Sequence, residues 1–167
     1  MDPIEQPLLA PDQHRCNFNV LNAGETDMPK KMIDVVGGED ALLKLVNDFY
    51  DLIETVPEGE NIKKLHLRGH GFDHVRDEQF NFLSGFLGGR RYFEEKHGHM
   101  NVKLIHEHVP ISKEDAENWL TCMDMALQFN GLNGLEIDKL RRVLRKIALL
   151  LVNDLRDWGA HPHGEGS

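Results

Sequence analysis

The stretch "HGHMNVKLIHEHVPISKEDAENWL", residues 97–120, joins a histidine-rich segment to the start of a helix. Four of the ten histidines of the chain lie in its first twelve residues. Ser112 and Asp115 then have a spacing like that of a capping box, in which each side chain binds the backbone N–H of the other residue. Apolar residues recur every three or four positions from Ala116 to Leu127, as on one helix face. The stretch therefore predicts an irregular histidine-rich loop followed by an amphipathic helix.

Most of the remaining chain has the same helical spacing, interrupted by glycine pairs and proline. We predict helices in "KKMIDVV", from Glu39 to Val56, in "ENIKKLHL", in "HVRDEQFNFLSGF" with Asp73 as N-cap, and in a last helix with Leu140, Val143, Leu144, Ile147, Leu151, Leu155 and Trp158 on its apolar face. No segment alternates as a strand would. The predicted fold class is all-α, with helices of moderate length joined by irregular loops.

The two ends of the chain differ from this helical part. Residues 1–29 carry several prolines without periodicity and predict an extended N-terminal arm, without the basic and apolar regions of a secretory signal. Residues 159–167, "GAHPHGEGS", predict a flexible tail. Residues 30–158 are expected to form one helical domain, since 167 residues suffice for a single core.

The composition excludes several kinds of partner. A net charge of −9 and a pI near 5.5 predict no nucleic-acid or anionic-membrane partner, because both require a basic surface. The longest apolar run, Ile147 to Val152, falls far short of the ~18 residues of a membrane helix. The two cysteines, Cys16 and Cys122, are too few for a disulfide framework, and Cys122 is expected to be packed inside a helix bundle. We expect a cytoplasmic location.

Three polar side chains are predicted to lie on apolar helix faces. Gln79 shares the inner face of Val75 and Phe82, while Tyr50 and Trp119 lie on or beside the apolar faces of two other helices. A buried amide, hydroxyl or indole N–H requires a hydrogen-bond partner. Two interpretations remain open: each group binds a separate backbone carbonyl, or all three serve one polar target in the interior.

The histidines favour a common target. His106 follows the apolar run "VKLI" and precedes Pro110, so its ring can face the interior. His97, His99 and His108 have glycine-flanked or more polar neighbours. A neutral imidazole is a good iron ligand, and haem iron commonly takes one proximal histidine. A small ligand on such an iron would accept hydrogen bonds from the inward donors.

Other metal sites are disfavoured. His66, His70 and His74 are four residues apart, but Gly69 and Gly71 interrupt any helix that would align them. No HExxH or paired CxxC string indicates zinc, and only one Glu-x-x-His string, "EEKH", is present where a di-iron centre requires two.

Four strings in this order resemble the truncated haemoglobins of group II: "VVGGEDALLKLVNDFY", "FLSGFLGGRRYFEEKHGH", "VKLIHEHVPIS" and "DAENWLTCMDMAL". The resemblance extends from Lys30 to Asp157 and includes both glycine pairs, Gly37-Gly38 and Gly88-Gly89. It implies a truncated globin fold, a two-over-two helical sandwich that encloses haem b.

The resemblance also implies roles for individual residues. His106 takes the place of the proximal iron ligand, and Tyr50, Gln79 and Trp119 take distal positions beside the bound ligand. Val75 replaces the distal histidine of ordinary globins. The expected haem-packing residues are Phe82, Leu83, Phe86, Phe93 and Met123, and the expected partners of the haem propionates are Lys103 and Arg91.

His66 departs from the pattern, because the family usually has an aromatic residue against the haem at its position. Two interpretations remain open. Either His66 or Tyr50 coordinates the iron from the distal side when no ligand is bound, or His66 packs against the haem edge or meets solvent.

The resemblance implies reversible binding of O2, CO, NO or other diatomic ligands. Three distal donors predict slow ligand release, which suits retention or redox chemistry better than bulk transport. The alternative is therefore a redox enzyme that scavenges NO or has weak peroxidase-like activity. Such an enzyme needs a reductase, and the chain has no flavin or nicotinamide motif. A helical interaction module without haem is a third interpretation.

Overall fold

The computed structural model describes residues 30–153, and this part of the chain contains helices and no strand. The helices are α1 Met32–Val36, α2 Glu39–Thr55, α3 Glu60–Leu67, α4 Phe72–Phe86, α5 Tyr92–His97, α6 Val102–His106, α7 Lys113–Phe129 and α8 Leu135–Leu150. A 3-10 turn, Pro57–Gly59, joins α2 to α3. The all-α prediction is confirmed. The predicted arm, the predicted tail, Leu155 and Trp158 lie outside the described residues.

The four long helices form two pairs. α2 packs against α4, α7 packs against α8, and the pairs meet where α2 contacts α7. The apolar face of α2, with Leu42, Leu45, Phe49 and Ile53, is fully or almost fully buried between them. Because α2 carries Tyr50 on the same side, this central helix also places a hydroxyl group in the interior. None of the helices between residues 30 and 153 is long and apolar enough to cross a bilayer.

The predicted capping box at the start of α7 is confirmed. The Ser112 hydroxyl accepts a hydrogen bond from the Asp115 N–H at 3.1 Å, and the Asp115 carboxylate accepts one from the Ser112 N–H at 2.8 Å. The Asp115 carboxylate also accepts a hydrogen bond from the side chain of Asn61 on α3. A local sequence signal therefore starts α7 and also ties it to α3.

Two glycines shape the corners of α2. Gly37 ends α1 with φ of 105°, a conformation that side chains with a Cβ rarely adopt. At the other end of α2, a Cβ on Gly59 would lie 2.1 Å from the carbonyl oxygen of Ile53. The turn between α2 and α3 therefore requires glycine, because the backbone of one segment lies directly against that of the other.

Several details of the predicted helices are wrong. Gly71, not Asp73, is the N-cap of α4, because Phe72 already belongs to the helix and packs against the ring of His66 at 6.1 Å between centroids. Asp73 instead lies in the first turn of α4, where the positive end of the helix dipole stabilises its carboxylate. The short helices α5 and α6 were not predicted, since they span too few residues for a periodic pattern.

The last helix is shorter than predicted. α8 ends at Leu150, one residue before the predicted Leu151. Asn153 explains the ending, because its side chain accepts a hydrogen bond from the Ile111 N–H at 3.1 Å and donates one to the Val109 carbonyl at 2.6 Å. These bonds fasten the chain after α8 to the segment between α6 and α7. Val143 was also assigned wrongly to the apolar face, since it is 41% exposed.

Candidate functional site

A cavity of about 460 Å³ lies among the seven helices α2 to α8. This volume falls within the ~300–1,000 Å³ typical of sites for cofactors and other small molecules. Most of its wall is apolar, with residues such as Ile62, Val75, Phe82, Leu83, Phe93 and Ile105. Its polar lining includes Tyr50, His66, Gln79, His106 and Trp119. One cavity thus contains the inward-facing polar residues that the sequence indicated.

His106 is the last residue of α6 and has one ring nitrogen already engaged. Nδ1 lies 2.7 Å from the carbonyl oxygen of Val102. A carbonyl oxygen only accepts hydrogen bonds, so this geometry assigns the proton to Nδ1 and leaves the lone pair on Nε2. Burial lowers the pKa of His106 by more than the bond to Val102 raises it, and the charge of His108 lowers it further. The ring is therefore neutral at pH 7 and has the electronic form of a metal ligand.

The helix that carries His106 is held at both ends. At its start, the Asn101 side chain accepts a hydrogen bond from the Leu104 N–H at 3.1 Å. After its end, Val109 and Ile111 bind Asn153, as described above. A helix of only five residues has little stability of its own, so these caps position the imidazole.

Tyr50 is 1% exposed and reaches the cavity from α2. Its hydroxyl donates a hydrogen bond to Oε1 of Gln79 at 3.5 Å, a long and therefore weak bond. Burial raises the pKa of Tyr50 far more than the nearby Arg76 guanidinium lowers it. The phenol consequently stays protonated at any physiological pH and can serve as a donor.

Gln79 and Trp119 bring further donors to the same cavity. Trp119 packs edge-on against Phe49, with ring centroids 5.2 Å apart. Among residues 30–153, neither the indole N–H of Trp119 nor the amide NH2 of Gln79 has a hydrogen-bond partner. Separate backbone carbonyls therefore do not satisfy these two groups, and both are available to a ligand in the cavity.

His66 lines the cavity from α3. Its Nδ1 lies 2.8 Å from the carbonyl oxygen of Ile62, one helical turn earlier. Its ring lies between Tyr50, at 5.8 Å between centroids, and Phe72, at 6.1 Å. Burial lowers the pKa of His66 despite the bond to Ile62, and electrostatic repulsion between the two rings, when both are protonated, makes His106 lower it further. His66 is thus a second neutral imidazole at this cavity, in the same tautomer as His106.

Exposed polar residues contribute to the rim of the cavity. The rings of His70 and His74 are 4.9 Å apart. Nε2 of His97 lies 2.6 Å from the Glu78 carboxylate, which also binds Lys96. Although burial opposes it, these hydrogen bonds lower the pKa of Glu78. The sequence analysis considered His70 and His74 only as zinc ligands and His97 only as a disfavoured iron ligand, and the alternating His–Gly spacing gave no indication that they meet at a cavity rim.

Four of the expected haem contacts do not line the cavity. Lys103 is exposed, and Arg91 is exposed and paired with Glu94. Phe86 lies behind the wall, where it stacks on Phe82 at 5.8 Å between centroids. Met123 borders a separate cavity of about 170 Å³ between α7 and α8. These four residues were assigned as haem contacts from the family resemblance alone. No pattern in the sequence indicated how close each of them lies to the cavity.

Comparisons with known proteins identify the fold. The family model of the bacterial-like globins matches residues 31–153. The chain belongs to this globin family. Group 2 truncated hemoglobin YjbI of Bacillus subtilis is 34% identical over 97 residues, which is 58% of this chain and 70% of that protein. The resemblance to group II truncated haemoglobins is therefore confirmed.

Solved structures agree with this assignment of the globin. The cold-adapted truncated hemoglobin of Pseudoalteromonas haloplanktis TAC125 superposes with a TM-score of 0.69 and 30% identity, over 74% of this chain and 98% of that one. The truncated oxygen-avid haemoglobin of Bacillus subtilis gives 0.67 and 30%, over 74% of this chain and 100% of that one. These neighbours confirm the predicted two-over-two helical fold.

The residues of this globin fit the haem that its family implies. The cavity offers an apolar wall, a neutral imidazole with a free Nε2, and hydrogen-bond donors without protein partners. A metal site built only from protein side chains is a poorer match, because no group of three or more His, Cys, Asp or Glu in residues 30–153 could hold an ion. The donor set thus suits a metal that arrives with its own planar ligand.

Proposed function

We propose that this globin binds O2, CO, NO or other diatomic ligands at haem b held by His106. The observation that supports the proposal is one apolar cavity that contains a neutral, oriented imidazole together with partner-free donors. When bound, the haem supplies an iron with a coordination position for a diatomic ligand. The chain supplies the axial ligand, the dry cavity and the hydrogen bonds.

His106 would hold the iron through Nε2. Its Nδ1–H bond to Val102 fixes the tautomer and limits rotation of the ring, as outer hydrogen bonds do for most metal-bound histidines. Phe82, Leu83 and Phe93 would contact the macrocycle, since all three line the cavity.

Tyr50, Gln79 and Trp119 would donate hydrogen bonds to the diatomic ligand. A hydrogen bond to a partly charged acceptor contributes about 1.5–3 kcal/mol. Because ~1.4 kcal/mol corresponds to a factor of ten, two such bonds would slow dissociation by hundreds-fold or more. The site therefore favours ligand retention over rapid release.

The test is the absorption spectrum of the purified protein in the ferric, ferrous and CO-bound states, beside that of His106→Ala. We expect a Soret band in the wild type, and haem loss or a large spectral change in the variant. His97→Ala and His108→Ala are the controls, because both residues are exposed, and they should leave the spectra nearly unchanged. An unaltered spectrum of His106→Ala would contradict the assignment of the iron ligand.

A second candidate is a redox enzyme that uses the same site. The donor set favours it, since a long-retained O2 has time to react with NO. An unidentified reductase would have to restore the ferrous state. Strong peroxidase activity is not expected, because no arginine lines the cavity within the described residues. Stopped-flow mixing of the oxygenated protein with NO distinguishes the candidates: rapid nitrate formation supports the enzyme, and slow reaction supports ligand storage or sensing.

A further inference from the structure

His66 has the same local chemistry as His106. Each ring is partly buried at the same cavity, and each Nδ1 donates to the backbone carbonyl four residues earlier, at 2.8 Å for His66 and 2.7 Å for His106. Each Nε2 therefore keeps a lone pair without a protein partner among the described residues. If one arrangement prepares a ligand for iron, the other does so as well.

The aromatic surroundings also hold the ring of His66 in place. Phe72 is nearly parallel to it, with an interplanar angle of 29°, and Tyr50 meets it edge-on at 86°. A side chain that merely met solvent would not be enclosed between two rings. The geometry favours a defined role for Nε2 inside the cavity over a contact at its rim.

Tyr50 is a poorer candidate for an internal ligand. Its hydroxyl already donates to Gln79, and coordination through a phenolate would require loss of a proton in a desolvated position. The remaining histidines at the cavity, His70, His74, His97 and His108, are exposed. Of the side chains that line the cavity, only His66 combines partial burial, a free nitrogen lone pair and a fixed tautomer with a position away from α6.

We propose that Nε2 of His66 would bind the iron of the haem reversibly whenever no diatomic ligand is bound. This inference rests on the proposed function, since it requires haem held by His106. The step forms one coordination bond from the imidazole lone pair and involves no change in oxidation state. Binding of O2 or CO would release His66, whose ring would return to its position between Phe72 and Tyr50.

The segment after His66 is suited to such a movement. α3 ends at Leu67, and the four residues from Arg68 to Gly71 form a short link that includes two glycines. Within the described part of the chain, the bond to Ile62 and the ring contacts with Tyr50 and Phe72 restrain the imidazole. A closed state occupied about 90% of the time would lower the apparent affinity for external ligands ~10-fold, because only the open fraction can bind them.

The experiment compares absorption and electron paramagnetic resonance spectra of the ferric holoprotein at pH 7, together with CO binding to the ferrous form. We expect the wild type to be six-coordinate and low-spin. His66→Leu should become high-spin with bound water and should bind CO faster, by ~10-fold at the occupancy considered above. Tyr50→Phe and the surface control Lys64→Leu, whose side chain is exposed on the same helix as His66 and does not line the cavity, should stay low-spin.

The outcomes separate this inference from the proposed function. A wild-type protein that binds haem but is purely high-spin overturns the role of His66 and leaves the proposed function intact. A low-spin His66→Leu protein also overturns it, and a high-spin Tyr50→Phe protein would assign the ligand to Tyr50. Absence of a Soret band overturns both proposals. The wild-type spectrum decides the matter even if the leucine variant does not fold.

Discussion

The substitution Tyr50→Phe offers a direct measure of the distal hydrogen bonds. It removes one hydroxyl group and keeps the ring, which packs edge-on against Phe49 at 4.9 Å and against Phe72 at 6.0 Å. Among residues 30–153, the only hydrogen bond that the substitution removes is the weak one to Gln79 at 3.5 Å. We therefore expect a small loss of folding stability, below about 1 kcal/mol.

The effect on the bound ligand should be much larger. A donor in a desolvated cavity contributes about 1.5–3 kcal/mol to a partly charged acceptor. At ~1.4 kcal/mol per factor of ten, the O2 dissociation rate of Tyr50→Phe should rise ~10- to 150-fold. CO dissociation should change less, because CO carries little negative charge on its outer atom.

The assay is stopped-flow displacement of O2 by excess CO, with thermal unfolding followed by circular dichroism. Tyr92→Phe is the matched control, since the hydroxyl of Tyr92 binds Glu39 on the surface at 3.1 Å. It should release O2 at the wild-type rate. If Tyr50→Phe is folded, holds haem and releases O2 within twofold of the wild type, the donor role of Tyr50 is wrong.

Three other properties can be tested independently of ligand kinetics. Burial raises the pKa of Cys122 to about 11. In a Cys16→Ser variant, a thiol reagent at pH 8 should therefore leave the native protein unlabelled and label it fully after unfolding. Equal labelling rates in the two states would show that α7 opens readily. Asn153→Ala removes the hydrogen bonds to the segment after α6, so it should lower the free energy of unfolding by about 1–3 kcal/mol. It should also speed the transfer of haem to an acceptor apoglobin. An unchanged transfer rate would show that Asn153 does not help to position His106. Hydrogen bonds from Lys96 and His97 lower the pKa of Glu78 in the folded state, so Glu78 stabilises the protein above its ordinary pKa of 4.5 and loses this contribution as the pH falls through the lowered value. Glu78→Gln should therefore weaken the dependence of the unfolding free energy on pH in the acid range, measured by urea unfolding. An unaltered dependence would mean that these ion pairs contribute nothing to stability.

Local signals in the sequence specified most of the fold. Glycine pairs, Pro57 and the Ser112 capping box mark helix ends within a residue or two, since each acts on the backbone beside it. Helical periodicity placed Tyr50 and Gln79 on inner faces correctly, because both lie in long helices where the pattern repeats over several turns.

Features that depend on distant contacts could not be predicted in this way. The end of α8 is set by Asn153, which binds residues about 40 positions earlier, so the apolar pattern that includes Leu151 did not reveal it. α6 is too short to show periodicity. How far His66 extends into the cavity depends on the turn at Gly59 and on the link between α3 and α4. The sequence alone does not show how either of these segments orients α3.

Gly59 has a consequence for how this globin can vary. The backbone at Gly59 lies directly against that of Ile53, so α2 and α3 can approach this closely only because Gly59 has no Cβ atom. Any larger residue would push α3 outward and carry His66 away from the interior. A single methyl group at this turn would therefore reduce how far the wall that α3 forms extends into the cavity.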